Sequence, residues 1–373
     1  MRRFWIRFGI AMTILGSAHY YVWWRFVAAT DLPAPWRIAG TIAIITLAPS
    51  LPVATMILRR FPRATARPYI WVAYTWFGFA VYLLLAAAVT HLACAVAGVE
   101  PRPAAIAGIA AAAATVVYGL VHVARGPIVR RVRVPLAKLP ASAEGYTIVQ
   151  LTDVHIGPIL GERFAAALVD QVNALAADLI VITGDLVDGH LHELRQHVEP
   201  LRRLHARDGV YAVTGNHEYY WNASAWLEHL RSLGVQILRN EHVTIRDAFE
   251  LAGVDDSTAT EDVPRALANR DTRLPVVLLA HHPRTIARAV TGGVDLQLSG
   301  HTHGGQLLPL GWLSRLFDPH IKGLARFGES WLYVSEDTGF WGPPMRVGTS
   351  CEIALVTLTA APPAREPRST AGR

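Results

Sequence analysis

Leu179-Ile180-Val181-Ile182-Thr183-Gly184-Asp185-Leu186-Val187-Asp188 is the stretch from which the rest of the chain can be read. Four apolar residues and a threonine, mostly β-branched, stop at a glycine, and two carboxylates three residues apart follow, which is the pattern of a buried strand ending in a polar turn. The design recurs four times. Residues 146–151 run into Thr152-Asp153-Val154-His155, and 210–214 into Gly215-Asn216-His217-Glu218. Residues 276–280 end at His281-His282-Pro283, and 296–299 at Gly300-His301-Thr302-His303-Gly304. Helix-like stretches at 163–177, 191–205, 223–233 and 285–290 separate these strands, so an α/β domain with helices packed over sheets is expected. In such sheets ligands bind beyond the carboxyl ends of the strands, where the polar residues lie.

The polar set mixes carboxylate oxygens, imidazole nitrogens and one amide, without a thiolate. Such ligands suit Mn, Fe, Zn or Co, whereas a structural zinc site favours cysteine. Asp153 and His155 are two residues apart, so at a strand end both side chains can leave on the same side and share one ion.

The ordered set D-x-H, G-D-x-x-D, G-N-H-E, H and G-H-x-H between Asp153 and His303 resembles the calcineurin-like metallophosphoesterase superfamily. Gly300-His301-Thr302-His303-Gly304-Gly305-Gln306 and the ending at 332–335 and 351–353 are similar, more narrowly, to its YkuE-like branch. The resemblance implies a four-layer αββα sandwich. It also implies two divalent metal ions, with Mn²⁺ first and Fe, Zn, Co or Mg as alternatives. Asp153, His155, Asp185 and His303 would hold one ion; Asn216, His281 and His301 would hold the other, with Asp185 bridging. His281 is preferred to His282 because the family pattern resembles His-x-Pro, completed here by Pro283. His217 would act on the transition state or the leaving oxygen of a phosphate ester attacked by water activated between the ions. Asp188 and Glu218 are expected to orient ligands, and Gly184, Gly215 and Gly304 to permit close turns.

The first third of the chain reads differently. Hydrophobic residues make up 52% of the sequence and charged residues only 17%, and the apolar excess is concentrated near the N-terminus. Runs at 8–28, 38–58, 70–97 and 104–124 have the length needed to cross a bilayer, about 20 residues. They predict an all-α bundle of four transmembrane helices, with Trp23, Trp24, Trp36, Tyr69 and Trp71 near span ends. Arg2, Arg3 and Arg7 before the first run also suit a signal-peptide n-region. The expected organisation is a membrane anchor at 1–125, a linker at 126–144 broken by Pro127, Pro135 and Pro140, a catalytic domain at 145–360 and a disordered tail at 361–373.

Charge divides along the same line. Residues 1–140 hold 15 Lys/Arg against 2 Asp/Glu, a net of +13; of the totals of 35 and 29, that leaves 20 and 27, a net of −7, for the remainder. The basic excess therefore follows membrane topology, and no nucleic-acid partner is expected. Arginines and lysines concentrate before the first run, between the second and third, and after the fourth, which predicts a catalytic domain on the cytoplasmic face of the cell membrane. Cys94 and Cys351 give no disulfide framework. The expected partners are the lipid bilayer and a phosphorylated small-molecule or lipid substrate. The alternative is a membrane sensor or scaffold with a silent phosphoesterase domain, whose sign would be a missing ligand; none is missing.

Overall fold

The computed structural model describes residues 2–318 and 320–360. The tail at 361–373 lies outside the described residues. The chain forms two units, residues 1–126 with 341–348, and residue 127 onward apart from that segment.

The first unit is helical: α1 (Arg2–Phe26), α2 (Ala34–Leu47), α3 (Ser50–Arg60), α4 (Arg63–Ala97) and α5 (Pro101–Ala124). Pro49 and Pro52, which lack the N–H that a continuing helix needs, mark the break between α2 and α3. Three stretches among the described residues are long and apolar enough to span a membrane, at Ala34–Leu58, Thr65–Ala97 and Pro101–Ala124. These correspond to the second, third and fourth of the four expected spans. The first run is a 25-residue helix, but its polar and aromatic second half, with His19, Tyr20, Tyr21, Trp23, Trp24 and Arg25, dilutes its hydropathy. Within the helices His19 is bonded through both ring nitrogens: its Nδ1 lies 2.8 Å from the Leu15 carbonyl, and its Nε2 accepts from Trp76 at 3.1 Å. Arg25 is buried and donates to the Thr90 carbonyl at 3.1 Å.

The second unit begins with β1 (Ile128–Leu136), β2 (Thr147–Leu151), α6 (Glu162–Asn173), β3 (Leu179–Thr183) and α7 (Leu191–Val198). It continues through β4 (Val210–Val213), α8 (Asn216–Tyr220), α9 (Ala223–Ser232), β5 (Gln236–Ile237), β6 (Glu241–Ile245) and β7 (Phe249–Gly253). Next come α10 (Val263–Ala266), β8 (Val276–Leu279), α11 (Ile286–Thr291), β9 (Leu296–Ser299), β10 (Gly323–Phe327), β11 (Ser330–Val334) and β12 (Glu352–Ala360). Two six-stranded sheets result, ordered β1-β12-β2-β3-β4-β5 and β10-β11-β9-β8-β7-β6.

Alternation along each strand explains the layering. In β3, Leu179 and Val181 face the other sheet while Ile180 and Ile182 face helices. With both faces covered, the strand reads as an unbroken apolar run. The core between the sheets joins Ile148, Leu179 and Val181 to Phe249, Leu251, Val277, Leu279 and Leu298. On the first sheet's outer face, Leu168 and Val172 of α6, Leu194 of α7 and Trp226 of α9 are buried. Val263 of α10 and Ile286 of α11 cover the second sheet. This is the expected αββα sandwich.

The stretch expected as a linker at 126–144 differs: it holds β1, paired in parallel with β12 over all nine residues. Pro135 is tolerated because β1 is an edge strand, where a missing N–H need not break the ladder.

Candidate metal centre

The five strand ends that the sequence singles out converge. Asp153 and His155 follow β2, Asp185 follows β3, Asn216 and His217 open α8 after β4, His281 follows β8, and His301 and His303 follow β9. Ligand atoms of Asp153, His155 and His303 lie within 4.8 Å of one another, as do those of Asp185, His281 and His301, and those of His155, Asp185 and His217. Asp185 is common to the last two groups, and its Oδ2 lies 3.2 Å from His281 Nε2 and 3.9 Å from His217 Nε2. Asp153 Oδ1 is 3.9 Å from Nε2 of both His155 and His303.

Backbone conformation aims these side chains. Asp153, His155, Asp185, His301 and His303 all have φ between 48° and 70°. Non-glycine residues adopt this left-handed region at a cost, and such strain gathers at functional sites. Asp153 and His155 therefore share a side because the chain turns sharply beyond β2, rather than through strand pleating. Close approach matters as much at two glycines. A Cβ on Gly215 would lie 2.1 Å from Asp185 Oδ1, and one on Gly300 would lie 2.1 Å from Asp153 Oδ2.

A second ring of groups holds the ligands. Glu218 accepts from the backbone N–H of Asp185 at 3.0 Å, of Gly215 at 2.7 Å and of Leu186 at 2.8 Å, fixing the Asp185 turn. The Thr183 carbonyl lies 2.9 Å from His281 Nδ1 and accepts from it, which turns Nε2 toward Asp185. Asp188 Oδ1 lies 3.1 Å from His217 Nδ1 and accepts from Trp221 Nε1 at 2.9 Å. Two carboxylates in this ring were not singled out by sequence. Asp337 Oδ2 pairs with His303 Nδ1, and Asp256 Oδ2 lies 3.0 Å from His282 Nε2. Asp337 follows β11 in Ser335-Glu336-Asp337, so the strand-end rule that found the other five groups would have found it too. His282 turns to Asp256 and packs its ring 3.7 Å from that of His301, whereas His281 faces Asp185.

Electrostatics in the ring are strongly perturbed. Burial, with Asp337 nearby, pushes Asp153 up to about 7. Burial and the Asp185 charge push Glu218 to about 7, opposed by the amides it accepts from. Burial and the neighbouring His281 and His282 push His301 down to about 2, and burial drives His155 well below its usual range. His217 goes the other way. Burial opposes its charge, but the hydrogen bond to Asp188 and the charge of Asp185 outweigh that and raise it. Asp185 is held well below the carboxylate range, because the nearby histidines outweigh its burial.

The donor set fits divalent cations. Asp153 Oδ1, His155 Nε2 and Asn216 Oδ1 are buried and, among the described residues, have no hydrogen-bond partner, and His281 Nε2 meets only Asp185 Oδ2, at 3.2 Å. Unsatisfied buried polar atoms are costly unless something else meets them, and these are oxygen and nitrogen atoms of the kind that bind Mn, Fe or Zn. Residues 146–305 match the family model described as calcineurin-like phosphoesterase. A metallophosphoesterase of Aquifex aeolicus is 36% identical over 239 residues, 62% of this chain and 91% of that protein. The chain belongs to the calcineurin-like metallophosphoesterase family. YkuE of Bacillus subtilis, described as a metallophosphoesterase, is 30% identical over 59% of this chain and 81% of its own length. A Danio rerio protein described as a transmembrane protein with metallophosphoesterase domain is 40% identical over 263 residues, 66% of this chain. The chain spans about 60% of that relative's length.

Proposed function

We propose that this metallophosphoesterase is a membrane-anchored hydrolase of phosphate esters that uses two divalent ions. The observation that carries the reading is the convergence of ligand atoms from five strand ends, those of Asp153 and His155 buried and without a hydrogen-bond partner among the described residues. Asp153, His155 and His303 would hold one ion, Asn216, His281 and His301 the other, and Asp185 both. Two such ions, Mn²⁺ first among the candidates, would supply a bound water of lowered pKa and positive charge for phosphoryl oxygens. Asn216 contributes a neutral oxygen, so the site keeps positive charge for an anionic substrate.

His217 is the residue placed to move a proton. Its Nδ1 is held by Asp188, and that hydrogen bond with the charge of Asp185 raises its pKa and favours the protonated ring, from which Nε2 can donate to a phosphoryl or departing ester oxygen. Substrates are phosphodiesters, phosphomonoesters or pyrophosphates, and attachment to a membrane favours those borne by lipids. The catalytic unit is assigned to the cytoplasmic side. Arg60, Arg63 and Arg67 before or at the start of α4, and Arg125, Arg130, Arg131 and Arg133 after α5, fall on one face of the bilayer whether or not α1 spans it.

The test uses the full-length chain in detergent, because β1 belongs to the sheet and a fragment beginning after it would lack an edge strand. Mn²⁺-loaded protein should hydrolyse bis(p-nitrophenyl) phosphate, and Asp185→Asn should abolish turnover with the circular dichroism spectrum unchanged. Undiminished turnover in that variant refutes the reading.

A further inference from the structure

The chain leaves the metal centre after His303, makes an excursion, and returns to it. The excursion contains the 3₁₀ segment Leu310–Leu316, and both its ends are tied to the site. Gly311 packs so closely on Gly305 that a Cβ there would meet the Gly305 carbonyl oxygen at 1.7 Å. At the other end Thr302, between the two histidines of the last motif, donates its hydroxyl to the Ile321 carbonyl at 2.6 Å.

Between these anchors the loop shows its apolar side chains to solvent. Trp312 is 55% exposed, Leu313 57%, Leu316 76% and Phe317 79%, and Arg315 stands exposed among them. Four large apolar side chains on one short, pinned segment form a patch of the kind that marks an interaction surface. Composition says which kind. An indole, aliphatic and phenyl groups, and an arginine that can reach outward are what the boundary between headgroups and acyl chains accepts. A bilayer is also the partner already attached: the same chain carries three candidate spans, and only Arg125, Gly126 and Pro127 separate α5 from β1.

We infer that the Leu310–Leu316 segment with Phe317 docks into the headgroup boundary of the bilayer that holds the chain's own spans, Arg315 pairing with anionic lipid. The inference rests on the membrane reading of the helices and deepens the proposed lipid preference. A loop tied to the metal centre at both ends and immersed at headgroup depth presents that centre to phosphates at the membrane surface.

The test measures depth and needs no turnover. Full-length protein carrying Cys94→Ala and Leu316→Cys is labelled with a nitroxide and reconstituted in phosphatidylcholine/phosphatidylglycerol vesicles; Cys351 is buried. A second protein carries the label at Glu329→Cys, where the native side chain is 96% exposed. The label at 316 should be several-fold more accessible to oxygen than to aqueous nickel chelate, as for a group about 5–10 Å into the boundary. The label at 329 should show the reverse. Equal nickel accessibility at both positions overturns the inference, and so does dipolar broadening at 316, which would mean that a second copy covers the patch. If the cysteine variants do not fold, quenching by brominated lipid is compared between the unaltered chain and Trp312→Phe. The unaltered chain should be quenched more, and identical quenching overturns the inference. An inactive protein with an immersed loop would refute hydrolysis alone, and an active one with a wet loop would refute docking alone.

Discussion

Replacing Asp337 by asparagine tests how this centre holds its ligands. Asp337 is fully buried and pairs through Oδ2 with His303 Nδ1, which directs Nε2 toward Asp153. A hydrogen bond to a charged group contributes about 1.5–3 kcal/mol, and a neutral acceptor keeps roughly half of it. Asp337→Asn should therefore lose about 1–1.5 kcal/mol of support for His303, roughly tenfold in metal affinity, and Asp337→Ala should approach a loss of about a hundredfold. A second effect opposes the first. Burial and the Asp337 charge together hold Asp153 up at about 7, so below that pH a proton competes with the metal for Asp153. Removing the Asp337 charge lowers that pKa and eases the competition. Calorimetric Mn²⁺ titration of metal-stripped protein should thus show about a tenfold deficit for Asp337→Asn at pH 8 and a smaller one at pH 6. Unchanged affinity at pH 8, or a deficit that grows at pH 6, would refute the reasoning.

Other perturbations read other parts of the centre. Gly300→Ala must displace Asp153 or Thr152, so thermal melting should fall by several degrees, corresponding to about 1–3 kcal/mol, and Mn²⁺ should restore less of it than in the unaltered protein. Metal-free protein should lose stability as pH rises from about 6.5 to 8. In that window folded Asp153 and Glu218, at about 7, and the raised His217 and His281 hold more protons than in the unfolded chain, outweighing the opposite contribution of the lowered His155 and His301, so raising the pH removes stability; melting in EDTA across the window checks the slope. Mn²⁺ should flatten or invert it, because the metal replaces those protons. His217→Asn should lower kcat by about 10²–10⁴ with metal content unchanged, and Asp188→Asn should move the alkaline limb of the pH–rate profile downward, as loss of the partner lowers the His217 pKa.

Much of the catalytic unit was legible because its strands are covered on both faces. Burial on two sides writes Leu179–Thr183 as one apolar run, and function writes ligands at its end, so each strand carried two signals. β1 was illegible for the opposite reason. As an edge strand it tolerates Pro135 and exposes Arg131 and Arg133, so it resembles a linker until its pairing with β12 is seen. The first run is the least distinct of the four: α1 is helical, but aromatic and polar groups lower its hydropathy below that of the three candidate spans. In the site, residues within contiguous motifs were visible, whereas Asp337 and Asp256 reach His303 and His282 from strand ends outside those motifs. Tertiary placement alone connects them. The left-handed backbone at Asp153 and His155 was equally hidden, since the i, i+2 spacing offers a simpler explanation of their shared side.

Anomalous diffraction from crystals of the full-length protein grown with Mn²⁺ tests the proposed dinuclear centre most directly. The account predicts two peaks about 3.5–4 Å apart, one beside Asp153, His155 and His303, the other beside Asn216, His281 and His301, with Asp185 between them. A single peak, or peaks away from Asp185, would contradict it.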